Sequence, residues 1–275
     1  MKIVCEVCPH HCSIGDGQLG FCRARTNRDG KIICENYGKL TSMALDPIEK
    51  KPLNRFLPGS YILSVGSYGC NFRCPFCQNS GISMTSGEII NTEKVMPETL
   101  VNMALSLTNK GNIGIAYTYN EPMISYEYVM DSARLAKEKG LKNVVVTNGY
   151  ICERPLLELL PFIDAMNIDL KAFSDNFYKK VRGDLETVKR TISLAAKQCH
   201  VEITTLIIPD ENDGENEMKE LSSWIASVNP DIPLHVTRFF PRWLMRSKKP
   251  TPVEKIYRLA EIARENLRYV YEGNI

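Results

Sequence analysis

The stretch YILSVGSYGCNFRCPFCQN, residues 61–79, joins a short apolar run to a loop that contains three cysteines. Tyr61–Ser67 has the apolar and β-branched composition of a buried strand. Cys70, Cys74 and Cys77 follow it within a span of eight residues. We therefore predict a strand whose carboxyl end leads directly into a metal-binding loop.

The alternation of a short apolar run with a longer amphipathic stretch continues to the end of the chain. The predicted strands are Tyr61–Ser67, Ile113–Tyr117, Asn143–Thr147, Asp164–Leu170, His200–Ile208 and Pro233–Phe240. The predicted helices are Pro97–Asn109, Ser125–Lys139, Glu153–Leu160, Leu185–Cys199, Asn216–Ser227 and Pro252–Asn266. Strands that alternate with helices indicate a parallel sheet with right-handed crossovers. Arg268–Tyr271 is a candidate for one more strand.

Polar residues at the strand ends favour a barrel over an open doubly wound sheet. Glu121, Asn148, Lys171 and Arg238 each end or follow a predicted strand, at the edge where α/β barrels build their sites. We predict an α/β fold, a partial (β/α)6 TIM-like barrel with a small Cys-rich N-terminal extension. The extension is residues 1–58 and the barrel is residues 59–275, because the pattern changes at Pro58-Gly59.

A second group of cysteines lies in the N-terminal extension. Cys5, Cys8, Cys12 and Cys22 have the spacing C-x2-C-x3-C-x9-C. Four thiolates suit zinc or an iron–sulfur cluster, which would be a second metal centre besides the one predicted for the loop of Cys70, Cys74 and Cys77. We expect this N-terminal site to be structural rather than catalytic. The spacing differs from the ferredoxin run C-x2-C-x2-C-x3-C, and small, poorly packed segments commonly use zinc. Zinc, a second cluster, and unligated or disulfide-bonded cysteines are the open alternatives.

The overall composition is that of an ordinary soluble globular protein, 44% hydrophobic and 24% charged. The 34 basic and 32 acidic residues are interleaved and give no single-sign field of the kind that nucleic-acid binding needs. No apolar run approaches the ~20 residues that span a bilayer, and MKIVCEVCPH lacks the apolar stretch of a signal peptide. We predict a cytoplasmic protein that binds neither nucleic acid nor membrane.

In a reducing cytoplasm, clustered cysteines indicate metal sites rather than disulfides. The number of cysteines in the loop after the first strand is informative. An ordinary [4Fe–4S] cluster takes four cysteines, one for each iron. Cys70, Cys74 and Cys77 would leave one iron open for another ligand, such as an amine and a carboxylate of a substrate. Structural zinc is the alternative, but it needs four closed ligands, and no fourth Cys or His follows nearby. Cys34, Cys152 and Cys199 stand alone and are interpreted as small buried hydrophobes.

The loop SYGCNFRCPFCQN resembles the cluster loop of the radical S-adenosylmethionine (SAM) superfamily, in which C-x3-C-x2-C binds a [4Fe–4S] cluster. More of the chain resembles the pyruvate formate-lyase-activating-enzyme branch, and within it the AmmeMemoRadiSam-system proteins. The segments that carry this resemblance are CEVCPHHC, GFCRAR, LDPIEKKPL, YTYNEP, TNGY, NIDLKAF, TTLIIP and HVTRFFP. Such relatives commonly continue past the equivalent of YEGNI with a small Cys-containing tail.

The resemblance implies a set of residues around SAM. Phe76 matches the position that lies against the adenine, with loop packing as the alternative. Glu121 matches the acidic residue of a GGE-type motif that binds the SAM amino group, although Tyr119 and Asn120 replace the two glycines; a surface salt bridge is the alternative. Thr147-Asn148-Gly149 resembles a loop that approaches the methionine or ribose part, with a plain β-turn as the alternative.

Residues on later strands complete the predicted pocket. Asp169 and Lys171 alternate with apolar neighbours, so both face one side of their strand. Buried charges need partners, which are either SAM or each other. His235 resembles a histidine near SAM in the activating enzymes, with a core histidine as the alternative, and Arg238 faces cofactor or substrate.

The resemblance further implies the reaction. A reduced flavodoxin or ferredoxin supplies an electron to the cluster, SAM is cleaved, and the 5′-deoxyadenosyl radical abstracts a hydrogen atom. One target is the backbone glycine of a partner enzyme, which makes the partner a protein substrate. The alternatives are a small molecule or another protein in an AmmeMemoRadiSam context, and a non-catalytic metal-binding interaction protein.

Overall fold

The computed structural model describes all 275 residues. The part before residue 60 consists of short strands: β1 Ile3–Val4, β2 Ser13–Ile14, β3 Arg25–Arg28, β4 Lys31–Cys34, β5 Lys39–Leu40 and β6 Ser42–Pro47. The strands after it are β7 Tyr61–Gly66, β8 Glu93–Lys94, β9 Asn112–Tyr117, β10 Lys142–Thr147, β11 Ala165–Asp169, β12 His200–Ile207, β13 Leu234–Arg238 and β14 Val270–Gly273. All six predicted barrel strands and the candidate last strand are therefore present.

Helices lie between most of these strands. They are α1 Ser80–Ser83, α2 Pro97–Ser106, α3 Tyr126–Glu138, α4 Glu153–Leu159, α5 Asp175–Lys180, α6 Leu185–Ala195, α7 Glu215–Val228 and α8 Val253–Arg264. Local signals set several of their ends. Asp184 caps α6 by accepting a hydrogen bond from the Thr187 N–H at 2.7 Å, and Gly140, at φ +74°, follows α3 in the left-handed conformation. The short helices α1 and α5 were not predicted, because each is only one or two turns long.

The main sheet has eight strands in the order β14-β13-β12-β11-β10-β9-β7-β6. From β7 to β14 every neighbouring pair is parallel and the spatial order follows the chain. A doubly wound sheet would reverse its order at a switch point, so the partial barrel is confirmed. The sheet stays open because the two edge strands, β6 and β14, do not pair with each other.

The edge strand β6 is antiparallel to β7, with Ser42 opposite Gly66 and Pro47 opposite Tyr61. It belongs to the segment that we assigned to the N-terminal extension, so the main sheet includes part of that segment. The division at residue 58 stays a prediction.

The core has two parts. The larger one lies between the sheet and the helices. The smaller one lies inside the barrel and consists of Ile48, Leu53, Ile62, Ala116, Val144 and Ala165. Four of these six are inward-facing residues, one from each of the neighbouring strands β7, β9, β10 and β11. Ile48 and Leu53 come from the segment after β6, which therefore fills the barrel floor. None of the helices is both long and apolar enough to cross a bilayer.

Candidate active site

The main cavity opens at the carboxyl ends of the parallel strands, above the filled floor. Parallel strands direct all their carboxyl ends to one edge, which is where barrel proteins place their sites. The cavity is lined by nearly all residues predicted to bind the cluster or SAM: Cys70, Cys74, Cys77, Phe76, Glu121, Thr147, Asn148, Asp169 and Lys171. Residues from four different strand ends, those of β7, β9, β10 and β11, thus meet in one place.

The loop after β7 supplies the three cysteines. Backbone hydrogen bonds hold its shape, from the Cys77 N–H to the Cys74 carbonyl at 3.1 Å and from the Arg73 N–H to the Val181 carbonyl at 2.9 Å. Gly69 has φ +85°, and a Cβ atom there would lie 2.4 Å from the Cys22 carbonyl oxygen. Only glycine fits this position, because any side chain would collide with the N-terminal segment.

The three thiols fit a [4Fe–4S] cluster. No other cysteine and no histidine lines the cavity. Structural zinc takes four closed ligands, whereas three thiolates suit a [4Fe–4S] cluster that leaves one iron open to another ligand. Burial raises the pKa of Cys70 well above its ordinary value and that of Cys74 to about 12. These thiols would therefore lose their protons only as metal binds.

Glu121 lines the cavity and is 3% exposed. Its Oε1 accepts hydrogen bonds from the Thr147 hydroxyl at 2.7 Å and the Met123 N–H at 3.0 Å. Its Oε2 accepts one from the Asn148 N–H at 2.8 Å. Burial raises the pKa of Glu121 to about 7, although these donors partly offset it. The alternative of a surface salt bridge is excluded, because the carboxylate is buried and has no basic partner.

The loop after β10 joins Glu121 to the cysteine loop. The Asn148 side-chain amide donates to the Asn71 side-chain oxygen at 2.8 Å and lies 3.8 Å from the Cys70 sulfur. Gly149, at φ +70°, lets the chain turn there, and its Cβ position would lie 3.0 Å from Ile168. Thr147 and Asn148 are thus positioned by Glu121, and Asn148 in turn contacts the cysteine loop.

Asp169 and Lys171 face the cavity from the end of β11, as their alternation predicted. The Lys171 ammonium lies 2.9 Å from an Asp169 carboxylate oxygen. Burial lowers the pKa of Lys171, but Asp169 and Cys74 outweigh it and raise that pKa above its ordinary value. Phe76 lies on the same side, with its ring centroid 6.0 Å from the Lys171 nitrogen. The mutual ion pair is therefore formed, and it lies where a charged ligand could also contact it.

His235 and Arg238 do not line the cavity. His235 Nε2 donates to a Glu202 carboxylate oxygen at 2.7 Å, one inward-facing layer below the cavity. Arg238 Nε donates to the Thr251 carbonyl at 2.7 Å. Cofactor contact by His235 stays a prediction.

Sequence reasoning missed one polar group of the wall. Lys51 is 3% exposed, its ammonium lies 2.9 Å from an Asp46 oxygen, and the Tyr119 hydroxyl donates to the same carboxylate at 2.7 Å. Lys51 and Tyr119 line the cavity. No local pattern could have found this group, because Tyr119 is 73 positions from Asp46. Thr204 and Thr237 also line the cavity, and strand alternation could have identified them.

A family model described as the radical SAM superfamily matches residues 64–222. The chain belongs to the radical SAM superfamily. The resemblance inferred from the cysteine loop is thereby confirmed. For a radical SAM protein, membership implies a [4Fe–4S] cluster and SAM, and the cavity residues described above are the ones available to hold them.

Three known proteins illustrate what this radical SAM protein is similar to. An uncharacterized protein of Methanocaldococcus jannaschii is 42% identical over 278 residues, which is 100% of this chain and 82% of the relative. The pyruvate formate-lyase 1-activating enzyme of Escherichia coli K12 is 26% identical over 168 residues, 58% of this chain and 68% of that enzyme. Streptococcus suis SuiB bound to S-adenosylmethionine shares the fold, with a TM-score of 0.61 at 12% identity over 78% of this chain and 52% of that one.

The N-terminal cysteines of this radical SAM protein form a separate group. Cys5, Cys8, Cys12 and Cys22 line one small cavity together with Arg25. Burial, with a smaller contribution from the other thiols of the group, raises the pKa of Cys8 to about 12 and that of Cys22 to about 11. The structure thus brings together all four cysteines that the spacing predicted to act together.

Proposed function

We propose that this radical SAM protein is an enzyme that cleaves SAM reductively and uses the 5′-deoxyadenosyl radical to abstract a hydrogen atom. The observation that carries the proposal is the single cavity with three cysteines on one wall, Glu121 and Asn148 on the next, and an Asp169–Lys171 pair beyond them. When bound, the cluster supplies the electron that breaks the bond between sulfur and the ribose 5′ carbon.

The chain's own residues bind and orient SAM in this proposal. Glu121 has one remaining acceptor position, which suits the SAM ammonium. The Asp169–Lys171 pair offers both charges to a zwitterionic methionine moiety or to ribose hydroxyls, and Phe76 offers a ring to the adenine. No general acid or base is required, because the cofactor carries the chemistry and the protein supplies position and exclusion of water.

For the substrate we propose the backbone glycine of a partner enzyme, with a reduced flavodoxin or ferredoxin as electron donor. Support comes from relatives named as pyruvate formate-lyase-activating enzymes, at 25% and 26% identity. The alternatives are radical modification of a small molecule or of another protein.

The test uses the protein reconstituted anaerobically with iron and sulfide, then supplied with dithionite and SAM. Wild type should form 5′-deoxyadenosine, whereas Cys74→Ala should form none and should bind about four iron per chain fewer than wild type, because a cluster iron has lost its ligand. Cys199→Ala is the matched control, since Cys199 hydrogen-bonds the Ala195 carbonyl far from the cavity. Product formation by Cys74→Ala, or none by wild type, would contradict the proposal, and the latter result would favour a non-catalytic scaffold.

A further inference from the structure

The N-terminal cysteines form a second site, which the proposed function does not use. Cys5, Cys8, Cys12 and Cys22 surround one small cavity, and all but Cys12 are buried. We propose that this site binds a second [4Fe–4S] cluster, with one thiolate for each of its four irons. The inference does not depend on the identity of the radical SAM substrate.

The number of thiols at this site matches a complete cluster ligand set. An ordinary [4Fe–4S] cluster takes four cysteines, one for each iron, and four cysteines line this cavity. Cys70, Cys74 and Cys77 supply only three to the other cavity. Structural zinc also takes four thiolates, so metal analysis of the reconstituted chain decides between the two.

Arg25 supplies an independent observation. Its side chain is 5% exposed, and its two terminal nitrogens are occupied by Glu127, at 2.8 and 2.5 Å, and by the Ile124 carbonyl at 3.1 Å. Its Nε is buried without any partner, and Arg25 lines the cavity of the four cysteines.

A buried N–H without an acceptor is rare in native proteins and calls for a missing partner. A sulfur of an anionic iron–sulfur cluster would accept this hydrogen bond, and the positive guanidinium would favour the cluster's negative charge. The orphaned Nε of Arg25 therefore indicates that the cavity holds an anionic group.

The second site lies directly beside the catalytic loop. The Cys70 N–H donates to the Cys22 carbonyl at 3.2 Å, so one ligand from each cysteine set shares a backbone hydrogen bond. The proposed cluster would therefore lie next to the first one, and it would not be a structural metal site at a distance from it.

The test separates the two sites. In a chain that combines Cys70→Ala, Cys74→Ala and Cys77→Ala, anaerobic reconstitution with iron and sulfide should leave about four iron and four sulfide per chain. After reduction by dithionite, its electron paramagnetic resonance spectrum should not change when SAM is added, because every iron already has a cysteine ligand. About one zinc without iron, or no metal in the folded chain, would overturn the inference.

Matched variants locate the ligands. Adding Cys8→Ser to the triple variant should remove the remaining iron, whereas adding Cys34→Ser should not, because Cys34 does not line the cavity. If the triple variant fails to fold, metal analysis of reconstituted wild type decides: about eight iron per chain support a second cluster, and about four iron with one zinc exclude it. Failure of the proposed function is a separate result. In that case the electron paramagnetic resonance spectrum of reduced wild type would not change when SAM is added.

Discussion

At the scale of single residues, Glu121 combines burial with a set of three hydrogen-bond donors. Its pKa is raised to about 7 by burial, so the carboxyl is largely protonated below that pH and ionised above it. Only the ionised form can pair with the SAM ammonium. SAM affinity of the cluster-loaded protein should therefore rise from pH 6 to pH 8.

Replacing Glu121 by Gln should weaken SAM binding at pH 8 about ten- to a hundredfold and abolish this pH dependence. The reason is the loss of a hydrogen bond to a charged group, worth roughly 1.5–3 kcal/mol, at about 1.4 kcal/mol for each tenfold change. Thr147→Val is the control, because it removes a donor to the same carboxylate and keeps the charge. Calorimetric titration at several pH values measures both variants, and equal pH dependence in wild type and Glu121→Gln would remove Glu121 from the SAM site.

The Asp169–Lys171 pair makes a prediction of its own. If the pair binds SAM, Lys171→Ala should lower SAM affinity at least a hundredfold, because the Asp169 charge is left without its partner in a partly buried position. If the pair is only structural, the variant should lower the melting temperature and leave SAM affinity intact. Calorimetric titration beside a melting curve decides between the two. Lys180→Ala is the control, since it breaks an ion pair with Glu211 in which Lys180 is 61% exposed.

At the scale of elements, one buried carboxylate connects two strands with the segment after β6. Glu202 on β12 accepts hydrogen bonds from His235 on β13 and from His200, at 2.7 and 2.9 Å. It also accepts from the backbone N–H groups of Asn54 and Arg55, at 3.0 and 2.7 Å. This arrangement explains why His235 lies below the cavity.

Glu202 should therefore make the stability of the fold depend on pH at acidic values. Burial raises its pKa, but the hydrogen bonds from His200, His235 and the backbone outweigh burial and lower it from 4.5 to about 2. The stabilisation is complete above pH 4.5 and is lost as the pH falls towards 2. The difference between the two pKa values corresponds to roughly 3 kcal/mol in the free energy of unfolding.

Glu202→Gln should accordingly destabilise the chain by about 3 kcal/mol at pH 7, and the deficit relative to wild type should shrink between pH 4.5 and 2. Denaturant unfolding followed by circular dichroism at several pH values measures it. Glu215→Gln is the control, because it removes an exposed ion pair with Arg258, and such pairs contribute little. A deficit that stays constant with pH would show that the Glu202 charge does not stabilise the fold.

At the scale of the whole molecule, the segment after β6 links the two halves of an open sheet. It starts at one edge strand, contributes Ile48 and Leu53 to the inner core, and reaches Asn167 on β11 through a hydrogen bond of 2.8 Å to the Pro52 carbonyl. Arg55 then lies over the Tyr269 ring at 4.0 Å, just before the other edge strand, β14. The barrel floor is thus closed by this segment rather than by strand pairing.

The sequence alone determined the features whose signal is local. Cys70, Cys74 and Cys77 lie in one loop, and the alternation of strand and helix patterns fixed the parallel order. Tertiary structure alone decided that Lys51, Asp46 and Tyr119 meet in the cavity wall, that His235 binds Glu202 below it, and that β6 joins the sheet. Glu202 and Asn54 are 148 positions apart in the chain. Their contact depends on strand register and on the path of a loop through the barrel, and neither follows from the periodicity of a short window.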